Sequence, residues 1–155
     1  YPSGAISQVG VYINNKKDGL WGKFHENEQL MQEEKWLSGK LTEVGPYYNL
    51  NGETLPKGEY DNGKGFLFTY HSNGSIKSKT NYKGGLANGL YERFYEDGLT
   101  RETGEMLNGN RSGKWTSFHS SGKIASLGEY NSGNKTGRWR VYNKKGKLVE
   151  VKNYE

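Results

Sequence analysis

Aromatic, aliphatic and glycine positions recur along this chain with a spacing of 24 residues. The clearest unit opens at Gly113, continues with Trp115 and Phe118, and reaches turn glycines at Gly122 and Gly133. The other opening glycines at this position are Gly19, Gly65, Gly89 and Gly137. A fixed period of this length indicates a repeat array, in which each unit buries its apolar residues against its neighbours.

The repeat divides the chain, taken as one domain of residues 1–155, into a series of units. These are a half repeat at 1–18, full repeats at 19–42, 43–64, 65–88, 89–112 and 113–136, and a shortened repeat at 137–155. Repeat 43–64 is irregular, since it contains Pro46 and Pro56, so we expect a kink there. Because the chain starts in the middle of a unit, we expect the natural precursor to extend upstream.

Each unit predicts two short strands separated by turns. In the clearest unit, residues 115–119 and 123–131 are bounded by clusters of Ser, Gly and Asn, a pattern typical of hairpins. Asn73-Gly74 and Asp97-Gly98 occupy the same turn position, where a positive φ suits both residue types. The sequence therefore predicts an all-β fold, an elongated antiparallel sheet of tandem β-hairpin repeats of about 24 residues.

Period-two alternation on the second strand predicts that Ile124, Ser126, Gly128 and Tyr130 share one face of the sheet. A strand glycine often marks the close approach of another group. We therefore expect an aromatic ring from an adjacent strand to lie over the strand glycines, namely Gly10, Gly58, Gly104 and Gly128.

The first strand leaves two arrangements open. Trp115 and Phe118 are three residues apart, so on a regular strand they point to opposite faces. Either both faces of the sheet carry aromatics, or the strand bends in each unit. The repeat aromatics, structural or partner-facing, are Trp21, Phe24, Trp36, Tyr91, Phe94, Trp115, Phe118, Tyr130, Trp139 and Tyr142.

The composition is polar, with 32% hydrophobic residues, which by itself favours disorder. Twelve tyrosines, four tryptophans and the strict period count against disorder, because aromatic side chains bury much area each. The absence of cysteine excludes disulfides and thiolate metal sites. No apolar run reaches membrane-spanning length, and either a cytoplasmic or an exported protein fits the sequence.

The net charge of +5 accompanies basic residues in the linking turns. One interpretation is a solvated surface that discourages edge pairing between sheets. The other is a basic rim that binds an acidic lipid or an anionic polymer. The candidate rim residues are Lys17, Lys40, Lys64, Arg111 and Lys135.

Catalytic and metal-binding patterns are missing from the sequence. His25, His71 and His119 each follow an opening-glycine position by six residues, so they are repeat positions. His71 and His119 would lie on the order of 19 Å apart, four strand spacings, so they cannot share a metal ion. No carboxylate pair stands out, because the adjacent Glu33 and Glu34 should point to opposite faces of a strand, and no serine nucleophile motif or phosphate-binding loop is present. We expect no enzymatic activity, no metal and no cofactor.

The stretches Gly-Lys-Trp-Thr-Ser-Phe at 113–118 and Gly-Glu-Tyr-Asn-Ser-Gly at 128–133 resemble MORN repeats. The resemblance is greatest to the bacterial variant type, which occurs in proteins labelled as antitoxin components. It implies a role in protein–protein contact or scaffolding, with acidic phospholipid as a further ligand class. Because a repeat fold hosts many functions, this implication concerns the fold more than the activity.

The sequence thus predicts a non-catalytic scaffold that binds a protein partner, with an antitoxin-like component as one form. The alternatives are multivalent binding of an anionic surface through the basic rim, and binding of cell wall or carbohydrate through exposed aromatics. Specific nucleic-acid binding is not expected, because the aromatics belong to the repeat core and the charge is mild. Unpaired sheet edges at both ends predict end-to-end self-association.

Overall fold

The computed structural model describes residues 1–155 and consists of fifteen β-strands joined by turns. Every pair of hydrogen-bonded strands is antiparallel, which confirms the predicted all-β array of tandem hairpins. The strands are β1 (Gln8–Ile13), β2 (Lys16–Phe24), β3 (Leu30–Leu37), β4 (Lys40–Val44), β5 (Tyr47–Tyr48), β6 (Thr54–Leu55), β7 (Tyr60–Asp61), β8 (Lys64–Tyr70), β9 (Ile76–Lys83), β10 (Leu86–Phe94), β11 (Thr100–Leu107), β12 (Asn110–Phe118), β13 (Ile124–Asn131), β14 (Asn134–Tyr142) and β15 (Leu148–Tyr154).

The sheet is interrupted within the irregular repeat. Strands β1 to β4 form one sheet, β7 to β15 form a nine-stranded sheet, and β5 and β6 form a small hairpin between them. A core cluster of Leu41, Val44 and Leu67 joins the two larger sheets. The Leu41 N–H also donates to the Gly85 carbonyl at 2.9 Å, and the Tyr60 hydroxyl donates to the Leu41 carbonyl at 2.6 Å. Packing and hydrogen bonds therefore hold the array together across the break.

Two-residue turns close the hairpins along one edge of the array. At Ser132 and Gly133, for example, φ is 49° and 85°. Positive φ at both residues matches the right-handed twist of the flanking strands. The Gly133 N–H also donates to the Arg111 carbonyl at 2.9 Å, so each such turn is tied to the unit before it.

Aromatic side chains occupy both faces of the sheet. A Cβ on Gly22 would lie 3.0 Å from the Phe24 ring, so these two residues share a face. Trp21, next to Gly22 in the same strand, therefore points to the other side. We call the side of Trp21, Trp115 and Trp139 the tryptophan face and the other side the opposite face. Of the two arrangements that the sequence left open, the structure has aromatics on both faces.

A β-bulge in each unit changes the face of one predicted residue. Ser117 pairs with Ser126, and their hydroxyl oxygens are 2.6 Å apart on the tryptophan face. Phe118 pairs with Ile124, so Ala125 is an extra residue on β13. The prediction that Ile124 shares a face with Ser126 is therefore wrong, because the bulge moves Ile124 to the opposite face.

The strand glycines provide the space in which the tryptophans lie. A Cβ on Gly128 would fall within 3.0 Å of three ring atoms of Trp139, and the same holds for Gly10 under Trp21 and Gly104 under Trp115. These three tryptophans are at most 6% exposed. The Trp139 indole N–H donates to the Glu129 carbonyl at 3.1 Å, which satisfies its one polar atom. The predicted ring-over-glycine contact is confirmed at these three positions.

The same prediction is wrong for Gly58. A Cβ there would meet the backbone oxygen of Phe66, not an aromatic ring. The irregular repeat brings the segment before β7 against the backbone of β8, and the Phe68 N–H donates to the Lys57 carbonyl at 2.8 Å. A φ of 101° at Gly58 adds a second reason for glycine.

Substitution of Gly128 by alanine tests the seating of Trp139. The new methyl group overlaps the indole ring, so we expect Gly128→Ala to lower the free energy of unfolding by about 1–3 kcal/mol. Chemical denaturation monitored by tryptophan fluorescence measures this change.

Gly45→Ala is the matched control, since a Cβ there would meet nothing closer than 3.4 Å. Combining Gly128→Ala with Trp139→Leu should cost less than the sum of the two single changes, because the residues interact directly. A Gly128→Ala variant as stable as the unchanged protein would show that the tryptophan is not seated on this glycine.

Candidate functional site

Three of the five candidate rim cations lie over tryptophan rings. Lys17, Arg111 and Lys135 each precede a tryptophan by four residues. Their charged atoms are 4.2, 4.1 and 4.3 Å from the ring centres of the tryptophans that follow them. A cation at this distance is attracted to the negative face of the ring. These side chains therefore cover the core on the tryptophan face.

Arg111 makes further contacts within its own sheet. Its guanidinium donates to both carboxylate oxygens of Glu102, at 2.6 and 3.0 Å, and to the Tyr130 hydroxyl at 3.2 Å. At the equivalent position, burial lowers the pKa of Lys17, Glu34 opposes this shift, and Lys23 adds to it. Both side chains are thus engaged inside the protein.

Lys40 and Lys64 lie apart from the other three rim candidates. They are exposed first residues of β4 and β8, at different positions in the repeat. Lys64 pairs across the hairpin with Asp61. The five residues therefore do not form the single row that equivalent repeat positions would have given.

The repeat aromatics are mostly part of the packing. Tyr130 lies edge-on between Trp115 and Trp139, with ring centres 5.7 and 5.1 Å apart. Trp36 is half-buried, and its indole N–H donates to Glu34 at 2.9 Å. The remaining half-buried members are Phe24, Tyr91, Phe94, Phe118 and Tyr142. Since the tryptophans of the regular units are buried, their faces are not open to a sugar ring.

Glu34 is a buried acid at the position that Gly128 occupies in its own unit. It forms an ion pair with Lys23 and accepts the Trp36 indole N–H. It lies near the break between the sheets, where burial raises the pKa of Tyr82 to about 12, with Glu34 contributing to the rise. Its oxygens are satisfied internally, so Glu34 supports the junction between the sheets.

The histidines tie neighbouring units together. The Nε2 atoms of His25, His71 and His119 lie 2.7, 3.0 and 2.9 Å from carbonyl oxygens 23 residues further on. Because a carbonyl oxygen only accepts, Nε2 carries the proton. Tyr1 and Tyr95 take the same position, and their hydroxyls donate to the equivalent carbonyls at 2.6 Å. The spacing of the histidines reveals their repeat position but not this contact. Its one signal in the sequence is that Tyr95, which can also donate a hydrogen bond, replaces histidine at the same position.

No three His, Asp or Glu side chains come together in a way that could hold a metal ion. Nor does the structure contain a helix that is long and apolar enough to cross a membrane.

Repeated exposed leucines distinguish the opposite face. Leu20 and Leu37 lie in repeat 19–42, and Leu90 and Leu107 take the same positions in repeat 89–112. Each adjoins a residue of the tryptophan face, so alternation places it on the opposite face. They are 59%, 63%, 43% and 53% exposed, respectively. Because Leu20 adjoins Trp21 and Leu37 adjoins Trp36, strand alternation would have placed these leucine positions on the opposite face from the sequence alone.

The chain becomes basic toward its C-terminal end, and part of this charge lies on the opposite face. Residues 110–155 hold ten of the 22 basic residues and three of the 17 acidic ones, while residues 1–109 hold 12 and 14. Lys114 and Arg138 replace Leu20 and Leu90 at their repeat position. With Arg140, Leu127 and Glu129 they line an open groove of about 450 Å³, which we call the basic groove.

Comparison with known families matches two of the hairpins. Residues 67–83 and 111–132 match the MORN repeat variant. The first stretch covers most of β8 and β9, and the second covers most of β12 and β13, so the match follows the structural unit. No curated protein matches the chain. MORN repeats are commonly non-enzymatic scaffolds for binding.

Replacement of His119 tests the contact between units. His119→Ala leaves the Tyr142 carbonyl without its donor and should lower the free energy of unfolding by about 1 kcal/mol. His119→Tyr should keep most of the stability, because Tyr95 makes the equivalent bond. Thermal unfolding of both variants measures the difference. Equal loss of stability in the alanine and tyrosine variants would contradict a hydrogen-bonding role.

Proposed function

We propose that this protein is a non-catalytic MORN-type scaffold that binds a protein partner along its opposite face. The observation that carries the proposal is the recurrence of exposed leucines at the same positions in two separate repeats. Contiguous apolar surface rimmed by polar residues marks interaction sites in soluble proteins. Single exposed leucines are ordinary, but a pair of leucines that returns at the same two positions of another repeat offers a partner two similar apolar contacts.

A repeat array suits this role for a physical reason. Each unit contacts mainly its neighbours, so the array presents an extended surface and not a closed cavity. Several weak contacts on one rigid surface add up to tight binding when the partner spans them. An antitoxin-like component, which would hold a toxin protein on this face, is the more specific form of the proposal and is supported by the sequence resemblance.

Substitution of the exposed leucines tests the proposal. Leu90→Gln combined with Leu107→Gln keeps the net charge and removes the apolar surface of one repeat. Losing the burial of two leucines should weaken binding by about 2 kcal/mol, or roughly thirtyfold in affinity. Proteins retained by the immobilised protein from an extract of the source cells are compared by quantitative mass spectrometry, and the binding constant of each retained protein is then measured.

The matched control is Leu50→Gln combined with Leu99→Gln. Both leucines are exposed but lie in loops. A partner retained by the control and lost from the Leu90 and Leu107 variant supports the proposal. Identical retention by all three proteins would refute it.

A second candidate is the binding of an anionic surface, such as an acidic membrane or polymer. The concentration of positive charge in residues 110–155 favours it. Such binding would be multivalent and would weaken as salt screens the charges. Retention on acidic and on neutral liposomes over a range of salt concentrations tests it, and absence of retention at low salt would eliminate it.

A further inference from the structure

The basic groove lies on three adjacent strands whose register fixes its layout. Lys114 on β12 pairs with Glu129 on β13, and Leu127 on β13 pairs with Arg140 on β14. Paired residues share a face, so these four side chains stand together on the opposite face. Thr116 and Thr136 complete the same two rows, since they pair with Leu127 and Glu129.

A bulge in β14 adds the third cation. Between the pairs Leu127–Arg140 and Glu129–Thr136 the register shifts, which leaves Gly137 and Arg138 as extra residues on β14. Gly137 has a φ of 62°, a conformation that suits glycine. Lys114 and Arg138 therefore flank β13 from either side, two strand spacings or ~10 Å apart.

The cations of the groove form no ion pair within the protein. The four ion pairs of the structure involve Lys23, Lys35, Arg111 and Lys152, so Lys114, Arg138 and Arg140 are free of carboxylate partners. Glu129 also lacks an ion pair, although it stands in the middle of the groove. By contrast, the guanidinium of Arg111 on the tryptophan face donates to both carboxylate oxygens of Glu102.

We propose that the basic groove binds an acidic peptide segment of the protein partner, an inference that rests on the proposed scaffold function. The two arginines can each hold a carboxylate through paired N–H donors, and Lys114 adds a third charge. A gap of ~10 Å is spanned by about three residues of extended peptide.

The groove floor favours a peptide over a dense polyanion. Glu129 repels any anion, but a peptide can offset this repulsion by donating backbone N–H groups to the carboxylate, which a row of phosphates cannot do. Leu127 offers an apolar contact between the charged residues. The groove thus offers both the charges and the apolar contact that an acidic peptide can use.

Charge reversal tests the inference with hexaglutamate as the probe. Labelled hexaglutamate should bind the unchanged protein at low salt, as measured by fluorescence anisotropy. Arg138→Glu combined with Arg140→Glu should weaken binding by at least about tenfold. Lys144→Glu combined with Lys145→Glu is the matched control, because it makes the same change of charge in an exposed turn of the same hairpin. The control should weaken binding by less than about threefold.

Circular dichroism establishes that both variants are folded, and Lys114→Glu, at an exposed position, replaces the double variant if that protein unfolds. Equal weakening by the two double variants would overturn the inference, since it would show dispersed attraction to a basic surface. Failure of hexaglutamate to bind at low salt would also overturn it. So would groove-dependent retention on acidic liposomes without binding of the peptide. None of these outcomes affects the scaffold proposal, whose test depends on Leu90 and Leu107.

Discussion

The packing of three tryptophan rings, those of Trp21, Trp115 and Trp139, each onto a glycine of the preceding unit is the main packing contact of this array. Few residues are buried, and three of the seven buried hydrophobic ones are Trp21, Trp115 and Trp139. A ring can approach a strand this closely only where the side chain below it is a hydrogen atom. The cations over the outer side of each ring then complete a layered stack of glycine, indole and charge. In a sheet without a second layer, this stack replaces a conventional core.

The two faces of the sheet differ in how far their side chains are engaged in contacts within the protein. The tryptophan face holds the rings, the cations over them and the serine pair between β12 and β13, so most of its side chains are engaged in contacts within the protein. The opposite face keeps leucines and unpaired cations exposed at positions where the repeat alone does not require them. The binding proposals made above therefore concern the opposite face, while three of the five basic residues first selected from the turns, Lys17, Arg111 and Lys135, lie over tryptophan rings.

Periodicity was enough to predict the strands, the turns and three of the four glycine contacts, because the strands and turns recur from unit to unit and a strand glycine marks where a ring can lie. It failed at Ile124 and Gly58 for identifiable reasons. A bulge inserts one residue and so breaks the alternation that assigns faces, while the irregular repeat replaces a ring by backbone. The positions of Arg111 and Lys135 could not be read from spacing, since a cation in a turn can point to solvent or fold back over a ring. The structure shows that both cations fold back over a ring.

The glycine under each of these three tryptophans lies in the preceding unit, so the two residues of one contact belong to different units. A duplicated unit brings a ring for its predecessor and a glycine for its successor, and the array can lengthen without a new interface. Where the glycine position holds a larger residue, the residue paired with it is smaller than tryptophan. Tyr91 pairs with Thr80, and Val44 pairs with Glu34. The space between two such strands therefore limits the combined size of the two side chains, so a larger residue at the glycine position requires a smaller partner.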